Sequence, residues 1–313
     1  MESAIAWMRA GGAPPGPAVN LFRNERITVK IGSFTLIQPF AGMTRQFRLI
    51  REMGIESADL TDNHDGATLG VEYDFSASVS LESHPAKIRR MAEESGVRLS
   101  AFCAHANLLD PPSPDIYGTF QVIKAIRLAA LLGIRHVITT EGDPKTEFGG
   151  RLTYEQKIFA ICERLYAPIQ WAEELGVELL VETHGSVTDS ADGMADLLDA
   201  LGHSETVGVC LDTGNCWIGG SEPVDFVRRF GPRIRHVHWK DMGAEWAPKR
   251  GSRYGAGMAE IALGEGMVNL AEVVQALKEA GFDGDTTLEV AGRENVERSL
   301  ARLKQWIGAP VAA

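Results

Sequence analysis

Cysteine, base and long apolar runs are all in short supply, and each shortage excludes something. Only four cysteines (Cys103, Cys162, Cys210 and Cys216) occur in 313 residues, with no CxxC pair among them. That argues against a disulfide framework or a structural zinc site and predicts buried thiols in a reducing, cytoplasmic compartment. Lys and Arg number 31 against 42 Asp and Glu, for a net charge of −11. A surplus of acid repels phosphate backbones and anionic lipid surfaces, so neither nucleic acid nor membrane is an expected partner. No apolar run approaches the roughly 18 residues of a membrane span. Residues 1–20 carry Glu2 and scattered Gly and Pro in place of a signal peptide's continuous apolar core.

What is present is an ordinary globular composition, 44% hydrophobic and 23% charged, enough for a sizeable core. At 313 residues the chain can hold two average domains or one large α/β barrel. The order of patterns decides between them. After an irregular segment over residues 1–26, short β-rich runs alternate with longer amphipathic stretches in eight rounds. Strands are predicted at 27–36, 57–61, 99–106, 135–141, 178–184, 207–213, 234–240 and 285–291. Helices are predicted at 43–53, 84–95, 116–132, 154–175, 192–201, 222–230, 269–281 and 294–307. Gly54, Gly96, Gly133, Gly176, Gly202 and Gly281 each follow a helical pattern, and the phrase helix, Gly, strand recurs (ESGVRLSAF, LLGIRHVIT, ELGVELLVE). Such a repeat predicts an α/β fold, a single (β/α)8 TIM barrel over residues 27–308 followed by a 309–313 tail. An open doubly wound sheet is the alternative, but the first strand lacks the Gly-rich turn that a dinucleotide-binding version needs. Residues 243–263 break the rhythm and are expected as a loop insertion at the catalytic face, covering substrate or meeting a partner subunit.

Barrel chemistry belongs at the C-terminal ends of the strands. Glu182, Asp212, His238 and Glu289 end four consecutive predicted strands there. Strand alternation puts Leu180, Glu182 and His184 on one face and Thr183 on the other; His236 and His238 likewise share a face. Three converging carboxylates repel one another and take up protons unless a cation neutralises them. An oxygen-rich set with one nitrogen suits one divalent metal, manganese first, with magnesium, cobalt or zinc as alternatives. Taken singly, each residue is as readily a hydrogen-bonded structural group; four in register carry the metal reading.

The segments VETHG (181–185), LDTGN (211–215), HVHWKD (236–241), LGEG (263–266) and LEV (288–290) resemble successive signatures of the xylose-isomerase-like barrel superfamily, the sugar phosphate isomerases and epimerases. The resemblance spans residues 27–308 and implies one divalent metal held by Glu182, Asp212, His238 and Glu289. In the ketose 3-epimerase branch the first and last of these glutamates also move protons. That branch carries a His three residues after the metal Asp and an Arg six residues after the metal His, both used on the sugar. Asn215 and Ala244 hold those places here, which argues against a simple free-ketose epimerase. The endonuclease branch needs extra His ligands for a three-metal cluster, and Asn215 again lacks the imidazole. The stretch 238–266 is also similar to the large subunits of bacterial C-glycoside deglycosidases, in which a 3-oxo sugar has an acidic C2 proton and elimination at C1 expels an aglycone.

The expected function is therefore a divalent-metal-dependent sugar isomerase or epimerase, abstracting a proton beside the carbonyl of a keto-sugar through a metal-stabilised enediolate. Glu182 and Glu289 serve as base and acid. His184, one pleat further out, is the base where the glutamates act only as ligands, or else an orienting neighbour. One alternative is a lyase on 3-oxo-glycosides, with His184 as base and the 243–263 loop against a small partner subunit. Another is a non-catalytic sugar-binding or accessory subunit. Substrate contacts are expected from His105, Glu141, Asn215, Trp239, Lys240 and Arg250. For His105 and Glu141 a hydrogen-bonded loop anchor is the alternative, and for Lys240 a surface pair with Asp241. Trp217, Trp239 and Trp246 offer faces to a sugar ring or pack the loops; Lys249, Arg250 and Arg253 bind a phosphate or are solvated. His136 and His236 lie deeper, as core or support, and His64, His84 and His203 carry little signal. The expected partner is a small-molecule sugar or glycoside, and the expected assembly is a homo-oligomer.

Overall fold

The computed structural model describes residues 29–38, 40–62, 70–111, 118–202 and 204–308. The irregular segment 1–26, the tail 309–313, His64 and His203 lie outside the described residues. Eight parallel strands form a closed barrel: β1 (Lys30–Phe34), β2 (Ser57–Thr61), β3 (Arg98–Ala104), β4 (His136–Thr139), β5 (Glu178–Glu182), β6 (Val207–Asp212), β7 (Ile234–Trp239) and β8 (Asp285–Leu288). The last strand returns to the first through pairs running from Lys30↔Asp285 to Ser33↔Leu288. That closure excludes the open doubly wound sheet.

Helices cover the outside: α1 (Met43–Glu52), α2 (Pro85–Ser95), α3 (Thr119–Leu132), α4 (Glu147–Gly150), α5 (Tyr154–Leu175), α6 (Ala191–Ala200), α7 (Thr213–Ile218), α8 (Pro223–Phe230), α9 (Leu270–Glu279) and α10 (Arg293–Gly308). The long helices fall where the periodicity predicts them. The short α4 and α7 do not, because a helix of one or two turns presents too few residues for a 3.6 period to show. Gly96, Gly133 and Gly176 cap α2, α3 and α5 at φ 66°, 73° and 66°. This left-handed conformation lets each helix stop and turn directly into the next strand.

Two apolar layers hold the barrel. The larger lies between strands and helices and includes Phe47, Leu60, Phe102, Val137, Leu179 and Trp239. The smaller fills the barrel interior with Phe34, Ala101, Cys103, Ile138, Leu180 and Cys210. Cys103, Cys210 and Cys216 are buried, Cys162 is half-buried, and all four are free thiols. No helix among the described residues is long and apolar enough to cross a membrane.

The strand ladders end earlier than the sequence pattern suggests: β4 at Thr139, β5 at Glu182 and β8 at Leu288. Extended backbone continues a little past them, since Thr183 N–H still donates to Cys210 O (3.2 Å) and Glu289 N–H to Trp239 O (3.0 Å). Side chains just beyond the ladders therefore keep the strand alternation and reach the barrel mouth. Residues 243–263 form a loop, interrupted only by a 3-10 turn over Ala244–Lys249 and one bridge, Ala259↔Val290. Its end is tied to buried Asp241, whose carboxylate accepts the N–H groups of Gly264 (2.7 Å), Gly266 (2.9 Å) and Val268 (3.1 Å). The LGEG motif is thus a backbone loop wrapped on one carboxylate.

The opposite, N-terminal mouth is closed by ion pairs. Arg98 binds Asp285, and Glu178 is shared by Arg135, Arg235 (3.0 Å) and His136 Nε2 (3.3 Å). Burial, with the positive charge of His236, lowers His136 to about 4, although Glu178 pulls the other way. A histidine depressed on folding contributes stability above its unfolded pKa and loses it as pH falls toward the folded value. Stability is therefore predicted to decline between roughly pH 6.5 and 4 by at most about 1.4 kcal/mol per pH unit from this group. Urea titrations across that window should show a shallower decline in His136→Gln; an unchanged slope contradicts the assignment.

Candidate metal centre and substrate cavity

Glu182, Asp212, His238 and Glu289 meet inside the C-terminal mouth, and one ligand atom from each lies within 4.8 Å of the others. Barrel register explains the convergence. Asp212 of β6 pairs directly with His238 of β7, and Glu182 and Glu289 stand at the ends of β5 and β8 on either side. His238 Nδ1 faces Glu182 Oε1 at 2.8 Å and Glu289 Oε2 at 3.7 Å. Asp212 divides its oxygens. Oδ1 accepts the N–H groups of Gly214 (2.8 Å) and Asn215 (2.9 Å), capping α7, while Oδ2 faces the cluster.

Lys240 reaches the same cluster from the end of β7. Its ammonium lies 2.8 Å from Asp212 Oδ2 and 2.8 Å from Glu289 Oε1, and donates to Ala256 O (2.8 Å). A Cβ on Gly214 would stand 2.5 Å from Lys240 Cγ, so glycine at that place leaves the path for the lysine stem. Burial works against the ammonium charge, but Asp212 and Glu289 outweigh it and raise the pKa. With His238 neutral, as a metal-binding imidazole must be, three carboxylates against one ammonium leave two negative charges, the complement of one divalent cation. Glu182 Oε2 and Glu289 Oε2 are buried and accept no hydrogen bond. A cation placed among the four ligand atoms would meet both oxygens, so the residues present fit a divalent metal. The two glutamates also differ electrostatically. Burial raises Glu182, yet the hydrogen bond and charge of His238 hold it at about 2. Burial pushes Glu289 well up, with Asp212 and Glu182 adding to it against the pull of Lys240.

Beside the cluster opens a cavity of about 430 Å³. Its walls carry Glu289, His105 and His184, an apolar side of Phe34, Leu36 and Met258, and a rim that includes Lys145 and Arg253. His105 Nε2 lies 3.8 Å from Glu182 Oε2. His184 is held from two sides. A Cβ on Gly255, which has φ +73°, would stand 2.2 Å from His184 Nε2, so only glycine lets the long loop lie against the ring. On the other side Asn215 Nδ2 faces His184 Nδ1 at 3.3 Å. Asn215 Oδ1 already accepts Ala256 N–H (2.8 Å) and Lys240 Nζ (3.2 Å), which fixes its amide nitrogen as the donor to the ring. A neutral His184 therefore carries its proton on Nε2, and burial lowers its pKa.

Residues 47–307 match the family described as xylose isomerase-like TIM barrel. The chain belongs to that family. Inosose dehydratase of Lacticaseibacillus casei is 24% identical over 119 residues, covering 36% of this chain and 40% of its own length. The 3-dehydroshikimate dehydratase of Bacillus anthracis is 28% identical over 165 residues, covering 49% and 54%. The chain thus spans about half or less of the length of these curated relatives. A solved D-tagatose 3-epimerase-like protein superposes with a TM-score of 0.67 at 18% identity, covering 89% of this chain and 97% of that one, and shares the fold.

Within this xylose isomerase-like barrel, five of the six expected substrate contacts, all but His105, stand away from the cavity wall. Glu141 Oε2 accepts Val187 N–H (2.9 Å) and Thr188 N–H (2.8 Å), and Oε1 accepts Ser186 Oγ–H (3.0 Å). It anchors the loop after β5 and does not line the cavity; burial, opposed by those donors, pushes it to about 7. Trp239 is fully buried in the outer apolar layer, because alternation sends it outward when His238 points inward. Arg250 donates to the carbonyls of Trp217 (3.0 Å) and Ser221 (3.2 Å), pairs with Glu222 and lies 4.9 Å over the Trp217 ring. It clasps the 3-10 turn to the segment after α7. Neither Trp217 nor Trp246 lines the cavity; the Trp246 ring is covered by Lys249 (4.6 Å) and Arg253 (5.4 Å). Asn215 and Lys240 act behind the cavity wall through the contacts above. Sequence reasoning missed Asp59, a lone acid inside β2 that touches both His236 and His238. Burial opposes its charge, yet these histidines hold it well below the usual carboxylate range.

Glu141→Ala strands two buried N–H groups. The expected outcome is a stability loss of roughly 1–3 kcal/mol, with hydrogen-exchange protection at Val187 and Thr188 collapsing first. Protection unchanged at both amides would show that the loop does not depend on this carboxylate.

Proposed function

We propose that the chain is a divalent-metal-dependent enzyme that removes a proton beside the carbonyl of a keto-sugar, with isomerisation or epimerisation as the leading outcome. The observation that carries this reading is the cluster itself: four ligand atoms within 4.8 Å, with buried carboxylate oxygens that lack donors, beside a cavity of sugar size. Glu182, Asp212, His238 and Glu289 would hold one cation, manganese first, with magnesium, cobalt or zinc also suited to this set. When bound, such a cation supplies positive charge to the carbonyl oxygen and acidifies the neighbouring C–H.

The chain's own groups divide the proton work. Among the four ligands Glu289 also lines the cavity, which supports it as the base for the substrate proton. Glu182 is covered by His105 and His238 and serves first as a ligand. His184 Nε2–H offers a proton donor from another part of the wall, in place of the base role expected from sequence. Lys240 keeps Asp212 and Glu289 apart and neutralises part of their charge. Apolar Phe34, Leu36 and Met258 exclude water from one side of the substrate.

A second outcome is supported by the same donor. If His184 protonates a neighbouring oxygen rather than the deprotonated carbon, the product is an elimination. The names of the two curated relatives, both dehydratases, favour keeping that outcome, and a 3-oxo-glycoside lyase is its glycoside form.

The test is solvent deuterium incorporation, followed by mass spectrometry, with free ketoses, ketose phosphates, inososes and 3-oxo-glycosides. Label in an isomerised sugar supports the leading outcome; loss of water or an aglycone supports elimination. Glu289→Gln should lower proton exchange by about 10²–10⁴-fold, Glu182→Gln should act through lost metal, and chelation should abolish activity until metal is returned. Turnover surviving both glutamine variants contradicts the site, and tight sugar binding without exchange points to a binding subunit instead.

A further inference from the structure

Below the four ligands, on the barrel floor, lies a second layer of fully buried polar side chains. Asp59 Oδ2 is 2.8 Å from His236 Nε2 and 3.3 Å from His238 Nε2. Its other oxygen, Oδ1, accepts Ser100 Oγ–H at 2.6 Å, and all three of Asp59, His236 and His238 have no solvent exposure. His238 therefore stands between two sets of acids. Nε2 looks down to Asp59, and Nδ1 looks up to Glu182 Oε1 at 2.8 Å and Glu289 Oε2 at 3.7 Å.

A carboxylate accepts hydrogen bonds, so Asp59, 3.3 Å from Nε2, favours hydrogen on that nitrogen, while Glu182 Oε1, 2.8 Å from Nδ1, favours it on the other as long as no cation stands between them. A cation among the ligands would take the place of hydrogen at Nδ1, the nitrogen aimed into the cluster, and the hydrogen of the neutral ring would then stand on Nε2, facing Asp59. We propose that Asp59 is the positioning residue of the metal centre, selecting the Nε2–H tautomer of His238 and aiming its Nδ1 at the cation. This rests on the reading that Glu182, Asp212, His238 and Glu289 hold a divalent metal. Without Asp59, the contact left to Nε2 among the described residues is Cys103 Sγ at 3.9 Å, a weak acceptor that holds hydrogen on Nε2 poorly. The neutral ring is then free to place it on Nδ1 and bond Glu182, which removes two ligand atoms from the cation at once. His236, bound to the same Oδ2 and to Thr287 Oγ1 (3.2 Å), keeps the carboxylate from turning away. Outer groups of this kind affect metal affinity by about 10–100-fold when removed.

The test uses the full chain stripped of metal by chelation. Calorimetric titration with Zn2+ compares wild type, Asp59→Asn and Ser100→Ala. Nitrogen-15 spectra of histidine-labelled, Zn2+-loaded protein report which nitrogen of His238 bears hydrogen, with His238→Gln giving the assignment. The expected result is one ion in the wild type, Nε2–H on His238, and a Kd raised about 10–100-fold in Asp59→Asn, with a smaller rise in Ser100→Ala. A purely packing role would lower the apo Tm of Asp59→Asn and leave Kd unchanged, which overturns the proposal. Should Asp59→Asn fail to fold, the wild-type spectrum decides: hydrogen on Nδ1 overturns the proposal, and hydrogen on Nε2 supports it. Wild type that binds no Zn2+ refutes the metal reading itself, whereas tight wild-type binding with an unaffected Asp59→Asn refutes only the role of Asp59.

Discussion

Three carboxylates and one imidazole share the inside of a barrel mouth where little water reaches them, and that burial constrains nearly everything around it. A carboxylate removed from water costs several kcal/mol unless its charge is met. Some of that charge is met by Lys240, some by the α7 amides on Asp212, and some by His238. The remainder suits a divalent cation. The surrounding architecture serves this arrangement. Gly214 leaves room for the lysine stem, Gly255 lets the long loop lie on His184, and Asn215 joins that loop to both. The departure of this chain from the epimerase pattern at Asn215 is thus a different solution for the same place. An amide orients a neighbouring imidazole there, where the epimerase branch has an imidazole of its own.

The closed barrel separates duties between its ends. At the N-terminal mouth, charged residues pair with one another around Glu178 and Asp285 and hold strands together. At the C-terminal mouth, charges are left for something else to complete. This asymmetry follows from the fold, because all eight strands run the same way and the loops that vary lie beyond their C-terminal ends.

Much of this was legible in the chain. The helix, Gly, strand phrase marks the repeating unit, and a polar residue after an apolar run marks the strand ends, so the barrel and the meeting of Glu182, Asp212, His238 and Glu289 both follow from local pattern. Position within the mouth does not. His105 and Glu141 carry the same signal, yet His105 lines the cavity while Glu141 is claimed by amides of the loop that follows the neighbouring strand. Trp239 follows His238 in the chain and shares its strand end, but the alternation that turns the histidine inward turns the tryptophan outward. Asp59 gives almost no signal, because its partners His236 and His238 lie far along the chain and become neighbours only when the barrel closes. Local pattern shows which residues are able to do chemistry, and closure decides which of them meet.

The central claim is that the four strand-end residues form a single cation site with one nitrogen ligand. Pulsed electron paramagnetic resonance of Mn2+-loaded protein carrying nitrogen-15 histidine measures this directly. The account predicts coupling to one imidazole nitrogen that disappears in His238→Gln. Coupling to two imidazoles, or to none, would contradict it.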